Sequence, residues 1–543
     1  MHIPASSNMA LDVAPVVLLV TVLVAAPLAY LLLVVVVAGK KEKPSSAAAP
    51  TPRDDGRRLP LPPSPPGIPL LGHLHLLGAL PHRALASLAR AHGPVLLLRL
   101  GRVPTVVVSS AAAAEEVMRA RDLAFASRPA IAMAESLLYG RDVAFAPYGE
   151  YWRQARRVSV VHLLSARRVG SFRRVREQEA TALAARASTG AGGAAVDLSE
   201  LLTEYANAVV SRAAFGDESA RGLFDEFQSG RRQRKVFTDF QKLIGTVPVG
   251  ELLPWLGWVD AITGLEGKIR RTFEALDGLL EKVIDDHRRR PRGEGDGDGR
   301  DFVDVLLDVH KNDKEVGIQL ATNEIKAIIL DMFAAGTDTT TTAMEWAMAE
   351  LVTHPRAMRR AQDEVRAAAA GSTGVNEDHV AQLDYLKAVV KETLRLHAPL
   401  PLLVPREPAA DAEILGYHVP ARTRVLINAW AIGRDPAIWE RAEEFVPERF
   451  LGGTAAASVD FRGQHFELLP FGAGRRMCPG LRFAEASAEM ALASLLYHFD
   501  WEAAGGQGSR EGTPTPSLDM TEVNGLAVHI KSGLPLLAKP WVP

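Results

Sequence analysis

The chain contains one cysteine in 543 residues, Cys478. A lone thiol rules out an internal disulfide, a Cys-rich zinc site and an iron–sulfur cluster. The fold must therefore be built by packing, and Cys478 acts as a single thiol or thiolate. Hydrophobic residues at 47% are enough for a large core. With 62 basic against 64 acidic residues, the net charge of −2 gives no electrostatic reason to expect a nucleic-acid partner. Length alone suggests roughly three or four domains.

Between Asp12 and Lys40 lie 27 uncharged residues rich in Val, Leu and Ala, and about 20 suffice to span a bilayer. No Lys or Arg precedes this run, whereas Lys40, Lys41 and Lys43 follow it. That pattern predicts a retained single-pass anchor at 13–39, with a lumenal N-terminus at 1–12 and the body in the cytosol, rather than a cleaved signal peptide. A linker and proline-rich hinge are expected at 40–69. In it Leu61 to Pro69 holds five prolines in nine positions, which predicts a stiff, extended spacer. Beyond it no second linker separates domains, so 70–543 reads as one unit. Gly293 to Gly299 has an Asp-Gly rhythm, but Arg300 falls where a third calcium ligand belongs, so it reads as a loop.

Val95 to Leu100 and Thr105 to Ser109 flank a Gly101-Arg102 turn and predict a hairpin, and Val419 to Asn428 predicts a second β region. Helical spacing dominates elsewhere, for example over Phe273 to His287, Ile325 to Val352 and Glu485 to Tyr497. The fold class is mainly α with small β-sheets.

Cys478 lies in Phe471-Gly472-Ala473-Gly474-Arg475-Arg476-Met477-Cys478-Pro479-Gly480, followed by a helical run. The glycines let backbone pass close to a flat object. A thiol at a helix start faces the positive end of the macrodipole, which favours its anion. Three readings compete on these residues: an inert buried cysteine, a catalytic nucleophile, and an axial ligand to heme iron. A second irregularity is Ala335-Gly336-Thr337-Asp338-Thr339-Thr340 within a long helical run. A glycine and successive threonines are weak helix formers. A Thr hydroxyl bonded to the carbonyl one turn earlier opens a groove there, and Asp338 can relay protons. Glu392 and Arg395 stand one helical turn apart.

The stretch Phe471 to Gly480 resembles the heme-binding signature of the cytochrome P450 family, Phe-x-x-Gly-x-Arg-x-Cys-x-Gly, with Phe471, Gly474, Arg476, Cys478 and Gly480 at its fixed positions. The resemblance covers essentially the whole chain. It implies the family fold, a large helical heme domain behind the N-terminal transmembrane helix, and heme b with Cys478 as the axial thiolate. It also implies that Asp338 and Thr339 form the acid–alcohol pair that delivers protons to dioxygen. Glu392, Arg395 and Arg449 of Pro447-Glu448-Arg449-Phe450 would form a buried structural triad. Trp152, Arg156, Arg406 and Arg476 would meet the heme propionates, while Arg153 and Arg157 stay solvated.

The implied activity is insertion of one atom of O2 into a small hydrophobic substrate, with electrons from NADPH through a separate reductase, at the endoplasmic reticulum membrane. Segments such as Phe145 to Glu150 and Asn428 to Pro436 are similar to plant microsomal members, most to those of grasses acting on indole-type specialised metabolites. An isomerase or dehydratase of the same fold is the enzymatic alternative, and the Asp338-Thr339 pair argues against it. A membrane-tethered heme sensor is the non-enzymatic one. Pocket walls are expected at Ala130 to Leu138, Leu330 to Ala335 and Leu400 to Leu403.

Overall fold

A computed structural model describes residues 59–190, 194–224, 228–289, 300–311, 320–504 and 518–542. The expected anchor at 13–39, the linker to residue 58 and the Gly293 to Gly299 loop lie outside them. Among the described residues no helix is long and apolar enough to cross a membrane.

The helices that position the site are α1 (Pro81–His92), α2 (Glu150–Val158), α3 (Arg173–Ala187), α4 (Leu198–Phe224), α5 (Leu265–Arg289), α6 (Thr322–Thr353), α7 (Asp384–Leu396) and α8 (Leu481–His498). Helix α6 is the axis of the molecule. Ile325, Ile328, Ile329, Phe333, Met344, Trp346 and Leu351 are buried on several of its faces, the signature of a helix enclosed by others. It packs along α4, α7 and α8, and α8 packs on α3.

The strands are β1 (Val95–Leu100), β2 (Val103–Val108), β3 (Val196–Asp197), β4 (Ala412–Ile414), β5 (Tyr417–Val419), β6 (Arg424–Ile427), β7 (Phe499–Ala503), β8 (Glu522–Asn524), β9 (Val528–Ile530) and β10 (Pro535–Pro540). They form four small sheets: β1-β2-β6, β3-β10-β7, and the hairpins β4-β5 and β8-β9. The β1-β2 hairpin matches its expectation, with Leu100 opposite Val103. The single β region expected over Val419 to Asn428 divides instead. Strand β5 ends at Val419, the chain turns through Pro420 to Thr423 with Arg422 at φ 59°, and β6 joins β2 in parallel with Val106 opposite Val425. Pro420 cannot donate to a ladder, so a continuous strand is blocked there.

The proline segment is neither helix nor strand and lies along the sheet. The Pro63 carbonyl accepts from Leu97 N, the Pro60 carbonyl from His418 N, and the Pro65 carbonyl sits 2.8 Å from His73 Nε2.

An ionic cluster centred on the buried Glu392 and Arg395 ties α7 to the chain beyond it. The Arg395 guanidinium grips Glu392 through two bonds of 2.7 and 2.8 Å, and Arg449 Nε donates to Glu392 Oε1 at 2.9 Å. Val446 N adds a fourth donor to the carboxylate. The rest of the Arg395 fork donates to the carbonyls of Gly433, Ala442 and Glu444, so one carboxylate and one guanidinium fix the long loop from 433 to 449 against α7. A buried pair stripped of one charge leaves the other uncompensated, at a cost of about 3–5 kcal/mol. Glu392→Gln is therefore expected to lower the unfolding free energy by roughly that amount, measured by denaturant unfolding of the full chain.

Candidate active site

Cys478 is delivered by a turn that only a glycine-rich stretch can make. Gly472 and Gly474 have φ of 65° and 69°, in the left-handed region that side chains avoid. A Cβ on Gly474 would stand 2.2 Å from the Met118 carbonyl oxygen. Cys478 N donates back to the Phe471 carbonyl at 2.9 Å, and Gly480 caps the start of α8. The sulfur lines a largely apolar cavity whose walls also come from α2, α6, α7 and α8.

Burial pushes the free Cys478 thiol up, while the Gly480 backbone N–H and the Arg156 charge pull the other way. The helix start alone therefore does not make the thiolate expected of it, because the cost of burying an anion outweighs the dipole. A metal ion reverses this, since a coordinating thiol loses its proton outright.

Helix α6 supplies part of the cavity wall. Ala335, Gly336, Thr339, Thr340 and Ala343 line it, and the Thr339 hydroxyl donates to the Ala335 carbonyl at 2.6 Å, within an unbroken helix. The Thr340 hydroxyl is buried with no hydrogen-bond partner among the described residues. Asp338 does not line the cavity; its carboxylate turns outward to His529 and Ala527. Of the expected pocket walls, Leu330 to Ala335 and Leu400 to Leu403 contribute Asp331, Met332, Ala335, Leu400 and Leu403. Ala130 to Leu138 does not line this cavity: Met133, Ala134, Leu137 and Leu138 pack into the hydrophobic core instead.

Four arginines share one end of the cavity: Arg128, Arg156, Arg406 and Arg476. Arg156 comes from α2 and donates to the Met477 carbonyl at 2.5 Å. Arg406 is placed by a bridge to β6 and donates to the Ala473 carbonyl at 2.8 Å, with Asp122 3.4 Å away. Arg476 donates to Ala126 and Ala146 carbonyls, and Arg128 to those of Ala144, Val404 and Pro405. Burial depresses all four guanidiniums, Arg406 to about 10 and Arg476 to about 9, and repulsion from neighbouring arginines adds to it at Arg128 and Arg476. Asp142, pushed up to about 6 by burial, is a weak counterion. The donor set thus calls for an anion with several acceptor oxygens. Trp152 lies beneath Arg476, whose guanidinium carbon is 3.9 Å from the indole centroid, and its N–H donates to the Val143 carbonyl at 2.9 Å. The structure thus gives that N–H a partner other than a propionate. Arg153 and Arg157 are exposed.

Sequence reasoning missed Arg128 and Asp331. Arg128 stands alone before Pro129, and nothing local marks it as buried. Asp331 was legible as the sole charge in the apolar run Ile328 to Ala335. Its Oδ2 accepts from Val143 N at 2.5 Å, and burial, with Asp142 next, raises it well above the carboxylate range. It ties α6 to the segment carrying Asp142 and Val143.

A flat dianionic cofactor with a thiolate-seeking metal meets every one of these demands: glycine relief beneath it, a sulfur toward it and a guanidinium cluster at its edge. Comparison with known proteins agrees. Residues 62–526 match the family model described as Cytochrome P450. Cytochrome P450 71A1 of Persea americana is 48% identical over 86% of this chain and 91% of its own, and cytochrome P450 736A117 of Prunus mume is 47% identical over 88% and 90%. The (+)-menthofuran synthase of Mentha piperita is 44% identical over 88% and 93%. Among solved structures, a zebrafish cytochrome P450 with progesterone superposes with a TM-score of 0.70 at 25% identity, over 85% of this chain and 99% of that one. Gly474→Ala is expected to lower both thermal stability and bound heme, read by melting curves and heme content.

Proposed function

The chain belongs to the cytochrome P450 family, and from that premise we propose that it oxidises a small hydrophobic substrate of plant specialised metabolism with electrons drawn from NADPH through a separate reductase. It is a heme-thiolate monooxygenase of plant type, and heme supplies the activation of dioxygen. The observation that carries the residue assignment is that Cys478 and Thr339 line one cavity from different elements. Cys478 is the axial ligand. Thr339 presents a hydroxyl held by the Ala335 carbonyl, and Asp338 is the acid that resupplies it with protons. Arg128, Arg156, Arg406 and Arg476 hold the cofactor's carboxylates.

The apolar wall favours a hydrophobic substrate. Relatives named (+)-menthofuran synthase and norfluorocurarine oxidase are 44% and 43% identical to this chain. Membrane association at the endoplasmic reticulum has support outside the proposed anchor. Ile68, Leu70, Leu71, Trp255, Trp258 and Ile262 are exposed. The two segments bearing them meet at the β1-β2 turn, where Gly101 N donates to the Leu71 carbonyl and Arg102 N to the Leu252 carbonyl. Such a patch suits the bilayer interface.

Cys478→Ala is expected to abolish the thiolate-type spectrum of the reduced, carbon-monoxide-bound protein; its retention would refute the ligand. With reductase, NADPH and a panel of indoles, oximes, phenylpropanoids and terpenes, the protein is expected to turn over at least one compound, and failure on all would sink the substrate class. On that compound Thr339→Ala should keep heme and waste NADPH without product; loss of heme would contradict the assignment.

A further inference from the structure

Alongside the Cys478 cavity, α7 and α8 enclose a second and more polar pocket with the segments at 450–452 and 460–462. The two share Val390, Phe461 and Glu485 as a dividing wall, and the Phe461 ring centroid lies 5.3 Å from that of Phe471, where the Cys478 loop begins. Asp384, Gly452 and Arg462 are exposed at the mouth, whereas Ala388, Phe450 and Phe461 are buried at the floor.

Each basic side chain of this pocket already has an acceptor. Arg462 Nη2 donates to both oxygens of Glu485, at 2.9 and 3.0 Å, and its Nε is 3.2 Å from Asp460. Lys391 Nζ donates to the Val459 carbonyl and Lys387 Nζ to that of Ala381. Glu489 is different. It stands one helical turn beyond Glu485 and is only 9% exposed, yet among the described residues its carboxyl has neither a hydrogen bond nor an ion pair. Desolvating a polar group without giving it a partner is costly, so a bare carboxyl lining a pocket marks where a ligand's donors belong. The pocket's apolar surface comes from Phe450, Leu451 and Phe461 among others.

Four charged groups act on Glu489: Glu485 from α8, Lys387 from α7, Arg462, and Glu377 from the short helix Glu377–Val380. Burial foremost, then Glu485, holds the acid up at about 7 against the pull of Lys387 and Arg462. Once ionised, it leaves the pocket one cation short, because Asp384, Asp460, Glu485 and Glu489 then face Lys387, Lys391 and Arg462.

We propose that this pocket is a second ligand site, taking a small organic cation that carries N–H donors on a short hydrocarbon stem, an alkylammonium or alkylguanidinium. The N–H groups meet Glu489, and the stem lies on Phe450, Leu451 and Phe461. The incoming charge draws Glu489 to its carboxylate, so below its titration point the acid gives its proton to solvent as the ligand enters. The ion pair that forms is shielded from water on the α8 side, where a charge-assisted hydrogen bond gains strength.

Calorimetric titration of the full-length, heme-loaded protein with ethylguanidinium tests this, since that cation keeps its charge across the working range and offers heme iron no lone pair. Saturable binding of one molecule is expected at pH 8, with affinity about tenfold lower at pH 6, where most of the acid is protonated. At pH 6 the heat should also vary with the ionisation enthalpy of the buffer, reporting release of close to one proton per molecule bound. Glu489→Gln, which copies the neutral acid in shape, is expected to weaken binding by about 10–100-fold and to abolish its pH dependence. Absence of saturable binding, binding to the parent without proton release, or unchanged affinity in Glu489→Gln would each overturn the site. Binding of inorganic phosphate in place of ethylguanidinium would assign the pocket to anions through Lys387 and Lys391, and overturn it as well.

Discussion

Four guanidinium groups gathered at one end of an internal cavity set the terms for everything around them. Like charges in a poorly solvated space repel, and each arginine is held in place by main-chain carbonyls that offer partial rather than full negative charge. The segments that supply those carbonyls, around residues 126, 144, 404 and 473, come from distant parts of the sequence. Binding a dianion at this place therefore does more than fill a hole: it supplies the counter-charge that lets four separate segments converge. Cofactor and fold are linked by mass action, since a ligand that binds only the native state adds to its stability.

The Glu392 cluster plays the complementary part. Its one carboxylate faces two guanidiniums, and the main-chain carbonyls of Gly433, Ala442 and Glu444 take up the rest of the Arg395 fork, which holds the 433–449 loop. The Cys478 thiol, raised by burial, is converted to its working form by the metal it binds.

Much of this was legible in the residues. The glycines before Cys478 predicted a tight turn near a flat object, and both adopt the left-handed backbone that only a glycine takes cheaply. The helical body, the β1-β2 hairpin and the irregular threonine-rich helix were readable from periodicity and propensity. What escaped was set by tertiary contact. Ala130 to Leu138 is apolar in either a core or a cavity wall, and composition cannot tell the two apart. Arg128 carries no local mark of burial, because its three carbonyl partners lie 16 or more residues away. The direction in which the Asp338 side chain points depends on a hairpin almost two hundred residues downstream. The division of the Val419 to Asn428 region was, by contrast, announced by Pro420.

The parallel pairing of β2 with β6 bears on how the chain is made. Val106 and Val425 are joined across 319 residues (425 − 106), and β2 is the middle strand of its sheet. At a synthesis rate of about 5–20 residues per second, the free edge of β2 waits roughly 16–64 s for its neighbour to leave the ribosome. During that interval the row of valines from Val106 to Val108 presents open hydrogen-bonding groups beside apolar side chains, the kind of edge that invites pairing with another chain. The nascent protein must be shielded there until nearly four-fifths of its length exists, which makes its yield in any host a matter of translation speed and chaperone supply as much as of native stability.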